Sequence, residues 1–317
     1  MLAARNNYPD IVGEILGRGA DNNIINNEKK NALDLAKEND ASRILKAVNN
    51  KDFLNQELLA AAGEGKQRLV HGLIAAGADL ETRDKNKNTA LHLSAEKGHE
   101  SVVRLLLLQP GIDVNSRDKY NNTPLTLITA AWDGHHRVVR LLIQSGTDPN
   151  LQAYDGHTAL TWAAIRGHTR AVCDLLQAGA DRDIMDRHGD TALQYAQSRR
   201  RRGHDDIEVM LDRGKIQDEQ AGARSVLAAT EAGFPEVLSD LLSRGADGEN
   251  AKTALGESAS QVAAKYPQII KEDYRKYLED KKELEPDETL ESVVEDAEKT
   301  SREMAKIFLS TSLVKHE

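Results

Sequence analysis

Apolar residues between Ala90 and Leu107 fall into two clusters of different character. Ala90, Leu91, Leu93 and Ala95 are mostly small and recur at helical spacing, whereas Val102, Val103, Leu105, Leu106 and Leu107 form a bulkier second cluster. Positions three and four apart share one face of a helix, so the pattern predicts two short helices separated at Gly98. Each would be about two to three turns long and marginal alone in water. The small residues of the first predict close approach of a neighbouring segment, and the stability of both must come from stacking on similar units.

Similar units exist. NTALHLSAEKGHESVVRLLLLQPGIDVN (88–115) is followed by NTPLTLITAAWDGHHRVVRLLIQSGTDPN (122–150), HTALTWAAIRGHTRAVCDLLQAGADRD (157–183) and DTALQYAQSRRRRGHDDIEVMLDRG (190–214). Thr89, Thr123, Thr158 and Thr191 stand 34, 35 and 33 residues apart. Fixed-period self-similarity of this kind marks a repeat architecture. The succession of T-P/A-L, an apolar and alanine run, G-H, an aliphatic cluster and G-A-D resembles the ankyrin repeat. Degenerate units at 2–23, 31–48, 58–84 and 226–247 extend the resemblance over residues 1–247. It implies an all-α solenoid of helix-turn-helix units joined by short β-hairpin loops, followed by a C-terminal helical extension.

Recurrence changes the meaning of residues that would otherwise suggest chemistry. His99, His135, His168 and His204 occupy one position of successive units, so His168 beside Cys173 is a repeat letter before it is a catalytic candidate. Cys173 falls in the apolar row of a second helix, where a thiol packs as a small hydrophobe. The sequence holds no phosphate-binding glycine loop, nucleophile elbow or H-E-x-x-H metal helix. The expectation is no catalytic residue, no cofactor and no metal, and hence a binding module rather than an enzyme.

The resemblance further implies that turn tips and first helices line a concave face that binds a protein partner. Carried over position by position, the candidate contacts are Lys85, Asn86, Asn88, Glu96 and Lys97 in one unit. The next unit gives Lys119, Tyr120, Asn122, Trp132 and Asp133; then follow Tyr154, His157, Ile165 and Arg166, and finally Arg187, His188 and Asp190. Arg199, Arg200, Arg201 and Arg202 sit in an insertion between the helices of the last well-formed unit, as Trp132 does in an insertion two units earlier. Trp, Tyr and Arg are the usual anchors of interfaces. Trp162, at an apolar first-helix position, is expected in the core. Lys87 and Asn121 stand where Gly156 and Gly189 occupy the tips of other units, which predicts a positive φ at a non-glycine residue or a distorted turn.

The signature lapses between Asn49 and Gln56, which divides the reading into degenerate repeats at 1–50 with a flexible joint, a main array at 51–248, and an acidic helical extension or cap at 249–317. The chain starts within a unit, so an apolar helix edge is expected to be exposed. This motivates an alternative in which the chain is the targeting part of a larger enzyme or secreted effector. In the extension, the apolar row Leu290, Val293, Val294, Ala297, Met304, Ile307 and Phe308 predicts one helix. Residues 271–317 carry nine Lys or Arg against fourteen Asp or Glu. The whole chain of 317 residues has a net charge of −9, which argues against general attraction to nucleic acid or anionic lipid. One cysteine excludes an intramolecular disulfide and suits a reducing cytosol or nucleus. The apolar runs are too short for a transmembrane helix.

Overall fold

A computed structural model describes residues 1–115, 125–198, 204–214, 216–248, 251–254, 256–268 and 290–314. Two compact units form, Met1–Ala159 and Leu160–Glu317. This division differs from the boundaries near residues 50 and 248 that the lapses of the sequence signature suggest.

The first unit contains α1 (Leu2–Arg5), α2 (Pro9–Gly17), α3 (Ala32–Ala36), α4 (Asp40–Ala47), α5 (Lys51–Gly63), α6 (Gln67–Ala75), α7 (Ala90–Glu96), α8 (Glu100–Leu107), α9 (Leu125–Asp133) and α10 (His136–Gln144). The two clusters between Ala90 and Leu107 become α7 and α8, and Gly98 between them takes φ +70°. Ala90, Ala95, Val102, Val103 and Leu106 lose all contact with water. Burying each of the larger aliphatic side chains contributes about 1.5–3 kcal/mol, which no isolated pair of two-turn helices could gain.

The segment expected to be a joint is ordered as a helix start. Asn50 caps α5 by accepting from the Phe53 N–H at 3.2 Å, and Leu54 is buried. Arg43 on α4 donates to Glu57 at 2.5 Å and to Glu64 at 2.7 Å, while Lys66 reaches Asp40 at 2.8 Å. These bonds cross residues 49–56 and tie the degenerate repeats to those after them. At the start of the chain the expected apolar edge is exposed, with Leu2, Ile11, Ile15, Ile24 and Ile25 open to solvent. The other side of α2 lies backbone to backbone on α6. A Cβ on Gly13 would sit 1.9 Å from the Gly72 carbonyl oxygen, and one on Gly72 would sit 2.2 Å from that of Pro9.

The second unit contains α11, which begins at the boundary (Ala159–Arg166), α12 (Thr169–Gln177), α13 (Ala192–Ser198), α14 (His204–Leu211), α15 (Glu219–Ala232), α16 (Pro235–Ser243), α17 (helical at 259–268) and α18 (Leu290–Val314). Trp162 is partly exposed rather than core, because the buried side of α11 is already filled by Leu160, Ala163 and Ala164. In α18, Ala297 and Met304 are buried, Ser301 donates to the Ala263 carbonyl at 2.7 Å, and the Phe308 ring approaches Gly248. The helix therefore covers the flank of α16 and α17. Leu290, Val293 and Val294 belong to the same helix; their side chains lie outside the described residues.

No strand forms among the described residues, only an isolated bridge between Lys252 and Ser258. Where hairpins were expected, one pair of backbone bonds closes each described turn, and only at 253–257 do the flanking residues pair further, the Ala259 N–H donating to the Ala251 carbonyl at 2.9 Å. At 84–88 the Asp84 N–H donates to the Asn88 carbonyl and the Lys87 N–H to the Asp84 carbonyl, both at 2.9 Å. The same pair recurs at 26–30, 153–157, 186–190 and 253–257. The fourth residue is left-handed in all five turns: Lys29 (φ +60°), Lys87 (+64°), Gly156 (+86°), Gly189 (+85°) and Gly256 (+80°). A lysine in that conformation costs about 1–2 kcal/mol relative to a glycine. The turn at 253–257 shows that the repeat continues past Asn250, where its letters are no longer recognisable. Ser258 and Gln261 then cap α17 reciprocally, the side-chain oxygen of each accepting the backbone N–H of the other.

Candidate partner-binding surface

His99, His135 and His204 are structural couplings between repeats. His99 and His135 are the N-caps of α8 and α10. Their Nε2 atoms lie 3.0 Å from the Gly63 carbonyl oxygen and 3.2 Å from that of Glu96, respectively. His204, first residue of α14, reaches the Ile165 carbonyl at 3.2 Å. A carbonyl only accepts, so each bond places the imidazole proton on Nε2. Each ring thereby satisfies an orphan carbonyl at the end of the preceding unit's first helix. Tyr266 of α17 serves the same purpose by a different route, its hydroxyl donating to the Ala232 carbonyl at 3.4 Å. This tyrosine carries no G-H signature, and sequence reading missed it.

Cys173 is buried with its sulfur 3.5 Å from that of Met210, inside the apolar row of α12. Among the described residues no group of three or more His, Cys, Asp or Glu side chains could hold a metal ion. No described helix is long and apolar enough to cross a membrane.

The candidate contact residues separate into exposed and buried sets. In the first unit Lys85, Lys97, Asp133 and Tyr154 are exposed, Trp132 stands at the margin with 36% exposure, and Asn86 and Glu96 are half-buried. Lys97 pairs with Glu96 at 2.8 Å; that hydrogen bond, with smaller contributions including the Asp133 charge, holds its ammonium above the ordinary lysine range. Asn88 and His157, in contrast, are buried and are withdrawn as contacts. The Asn88 N–H and side-chain amide are both spent on Asp84, and the Asp155 carboxylate lies 2.9 Å from His157 Nδ1.

In the second unit Arg166, Arg187 and His188 are exposed and Asp190 is half-buried. Ile165 is buried and is likewise withdrawn: it packs into the end of α11, and its carbonyl receives His204. Lys119, Tyr120, Asn122 and Arg199 to Arg202 lie outside the described residues.

The exposed positions fall on turn tips and first-helix ends, and the helix faces between them are buried. In each unit the exposed positions offer chemically mixed side chains for recognition. A model of ankyrin repeats in three copies matches residues 58–153 and 127–220. The chain is 32% identical over 161 residues to the ankyrin repeat and KH domain-containing protein mask-1 of Caenorhabditis elegans, a match covering 49% of this chain and 6% of that protein. It is 26% identical over 166 residues to the nuclear factor NF-kappa-B p105 subunit of Gallus gallus, covering 49% and 17%. A third relative, the E3 ubiquitin-protein ligase KEG of Arabidopsis thaliana, is 37% identical over 102 residues, covering 32% and 6%. The chain thus spans only a small part of the relatives it matches.

Proposed function

The chain belongs to the ankyrin-repeat family, whose members generally serve as protein-protein interaction modules, and on that footing we propose that it binds a protein partner through the turn tips and first-helix ends, the concave side in this family. One observation carries the reading. The exposed candidates Lys85, Lys97, Trp132, Asp133 and Tyr154 are held on turns and helix ends whose own polar groups are internally satisfied, so little ordering entropy is lost on docking. Recognition is by a preformed surface, and this chain carries out no chemistry of its own. Replacing Trp132 and Tyr154 together by alanine removes two exposed aromatic anchors at little cost to the core. Loss of the captured partner with an unchanged circular dichroism spectrum is the expected result; undiminished capture by the folded variant overturns the assignment of this face.

The small share of each relative that is matched supports a second reading, in which these repeats are the targeting or substrate-recognition part of a larger enzyme or secreted effector. Sequencing the full transcript decides it, since that reading requires an in-frame catalytic domain. Residence in the cytosol or nucleus fits both readings and rests on the single buried thiol; imaging of a tagged chain tests it.

A further inference from the structure

Two of the five equivalent turns carry a lysine in the left-handed position, and the other three carry glycine. A conformation that an L-residue adopts only at a cost, kept where glycine is free of that cost, points to a use for the side chain. The surroundings of the two lysines differ. Beside Lys29 stands Glu28, paired with Lys30 at 3.0 Å, so that turn carries its own counterion. The position of Glu28 is taken in the other turn by Asn86. There Arg83, Lys85 and Lys87 are all exposed cations. The only carboxylate among residues 83–88, Asp84, faces inward and accepts from the Asn86 N–H at 2.7 Å, the Asn88 N–H at 2.8 Å and the Asn88 side chain at 3.3 Å. Arg83 in turn donates to the Lys87 carbonyl at 3.3 Å, which fixes the backbone under the second lysine.

From this arrangement we infer that the 84–88 turn is the contact point for an acidic segment of the protein partner, with Lys85 and Lys87 meeting its carboxylates and Arg83 bracing the turn. The inference rests on the interaction function proposed above and adds the chemistry of the partner. A chain with a net charge of −9 repels anions over much of its surface, so a local positive tip both attracts an acidic segment and fixes where it docks. A nucleic acid is the weaker fit, because residues 83–88 include no aromatic side chain to stack a base.

The test uses the full chain and a fluorescent oligoglutamate peptide, titrated at low and at physiological salt. Lys85→Ala and Lys87→Gly are each expected to weaken peptide binding about threefold. Lys87→Gly should at the same time raise the thermal midpoint by about 2–4 °C, because it relieves the left-handed lysine. Lys29→Gly should raise the midpoint similarly and leave peptide affinity unchanged. Failure of the intact chain to bind the peptide at low salt overturns the inference, as does equal affinity of the Lys85→Ala/Lys87→Gly double variant. Tighter binding of an oligothymidylate than of the peptide overturns it too. The interaction face itself is judged separately, by capture with the Trp132→Ala/Tyr154→Ala variant. Loss of capture there, with peptide affinity indifferent to Lys85 and Lys87, sinks only the acidic-segment inference; the converse sinks only the face.

Discussion

His135 fills the space beside Gly98: a Cβ on that glycine would stand 2.5 Å from His135 Nδ1, while Nε2 of the same ring reaches the Glu96 carbonyl at 3.2 Å. One ring therefore both satisfies the helix end and requires the glycine beneath it. Gly98→Ala meets a steric conflict in addition to a positive φ, and should destabilise the first unit by about 2–4 kcal/mol. Urea unfolding followed by circular dichroism measures it. The paired change Gly98→Ala/His135→Ala should recover part of the loss, since it removes the clash and leaves only the backbone strain and the unsatisfied carbonyl.

The contact between α2 and α6 leaves no room for a methyl group. With the Pro9 carbonyl oxygen 2.2 Å from the position of a Cβ on Gly72, Gly72→Ala must drive the helices apart, at a cost of about 1–3 kcal/mol. Hydrogen exchange provides the specific readout, because protection should fall in α2 and α6 and stay unchanged in α8 and α10.

Arg43 joins Glu57 and Glu64 with its guanidinium, and the ammonium of Lys66 lies between Glu64 and Asp40. The Arg43 hydrogen bond is the largest influence on the Glu64 carboxyl and holds it below the ordinary glutamate range, against a smaller opposing effect of burial and with help from Lys66. A carboxyl lowered in the folded state stabilises the fold above its unfolded value, and that contribution disappears as the pH falls through the folded value. Glu64 is nearly half exposed, so solvent screens the gain. Glu64→Gln should cost under about 1 kcal/mol at neutral pH and flatten the acid limb of the stability profile, while Arg43→Ala should cost about 1–2 kcal/mol. Chemical denaturation as a function of pH separates the two.

Tyr266 stands against Gly233 as the histidines stand against their glycines. Tyr266→Phe gives up one long hydrogen bond and should cost under about 1 kcal/mol. Tyr266→Ala opens a void beneath α17 and should cost about 3 kcal/mol in the second unit. Differential scanning calorimetry of the two variants reports the difference.

The helix pairs were legible because their signal is local: small apolar residues in α7, large ones in α8, and a glycine between them. The left-handed Lys87 was legible for the same reason, since a glycine position occupied by lysine is visible by comparing one unit with the next. Burial of Asn88, His157 and Ile165 was not, because it depends on what the following segment places over them. The glycines of α2 and α6 are plain in the sequence, but nothing local says that Gly13 meets Gly72. At the C-terminal end the register of the repeat has shifted, which hid it from sequence reading. Thr-Ala-Leu opens the first helix in earlier units, whereas Thr253 opens the turn and Ser258 takes over the capping role.

Four of the five turns are held by a side chain at their own first residue: Asn26, Asp84 and Asp186 each accept two backbone N–H groups within the turn, and Thr253 accepts one. The knot is tied underneath, and at 84–88 and 186–190 these bonds take only a backbone N–H from the second and third residues. Those two sites are therefore less bound by the turn's own bonds than the first and the fourth. A lineage could rewrite Lys85 and Asn86, or Arg187 and His188, and acquire a different clientele in a few substitutions while the architecture that displays them stayed the same.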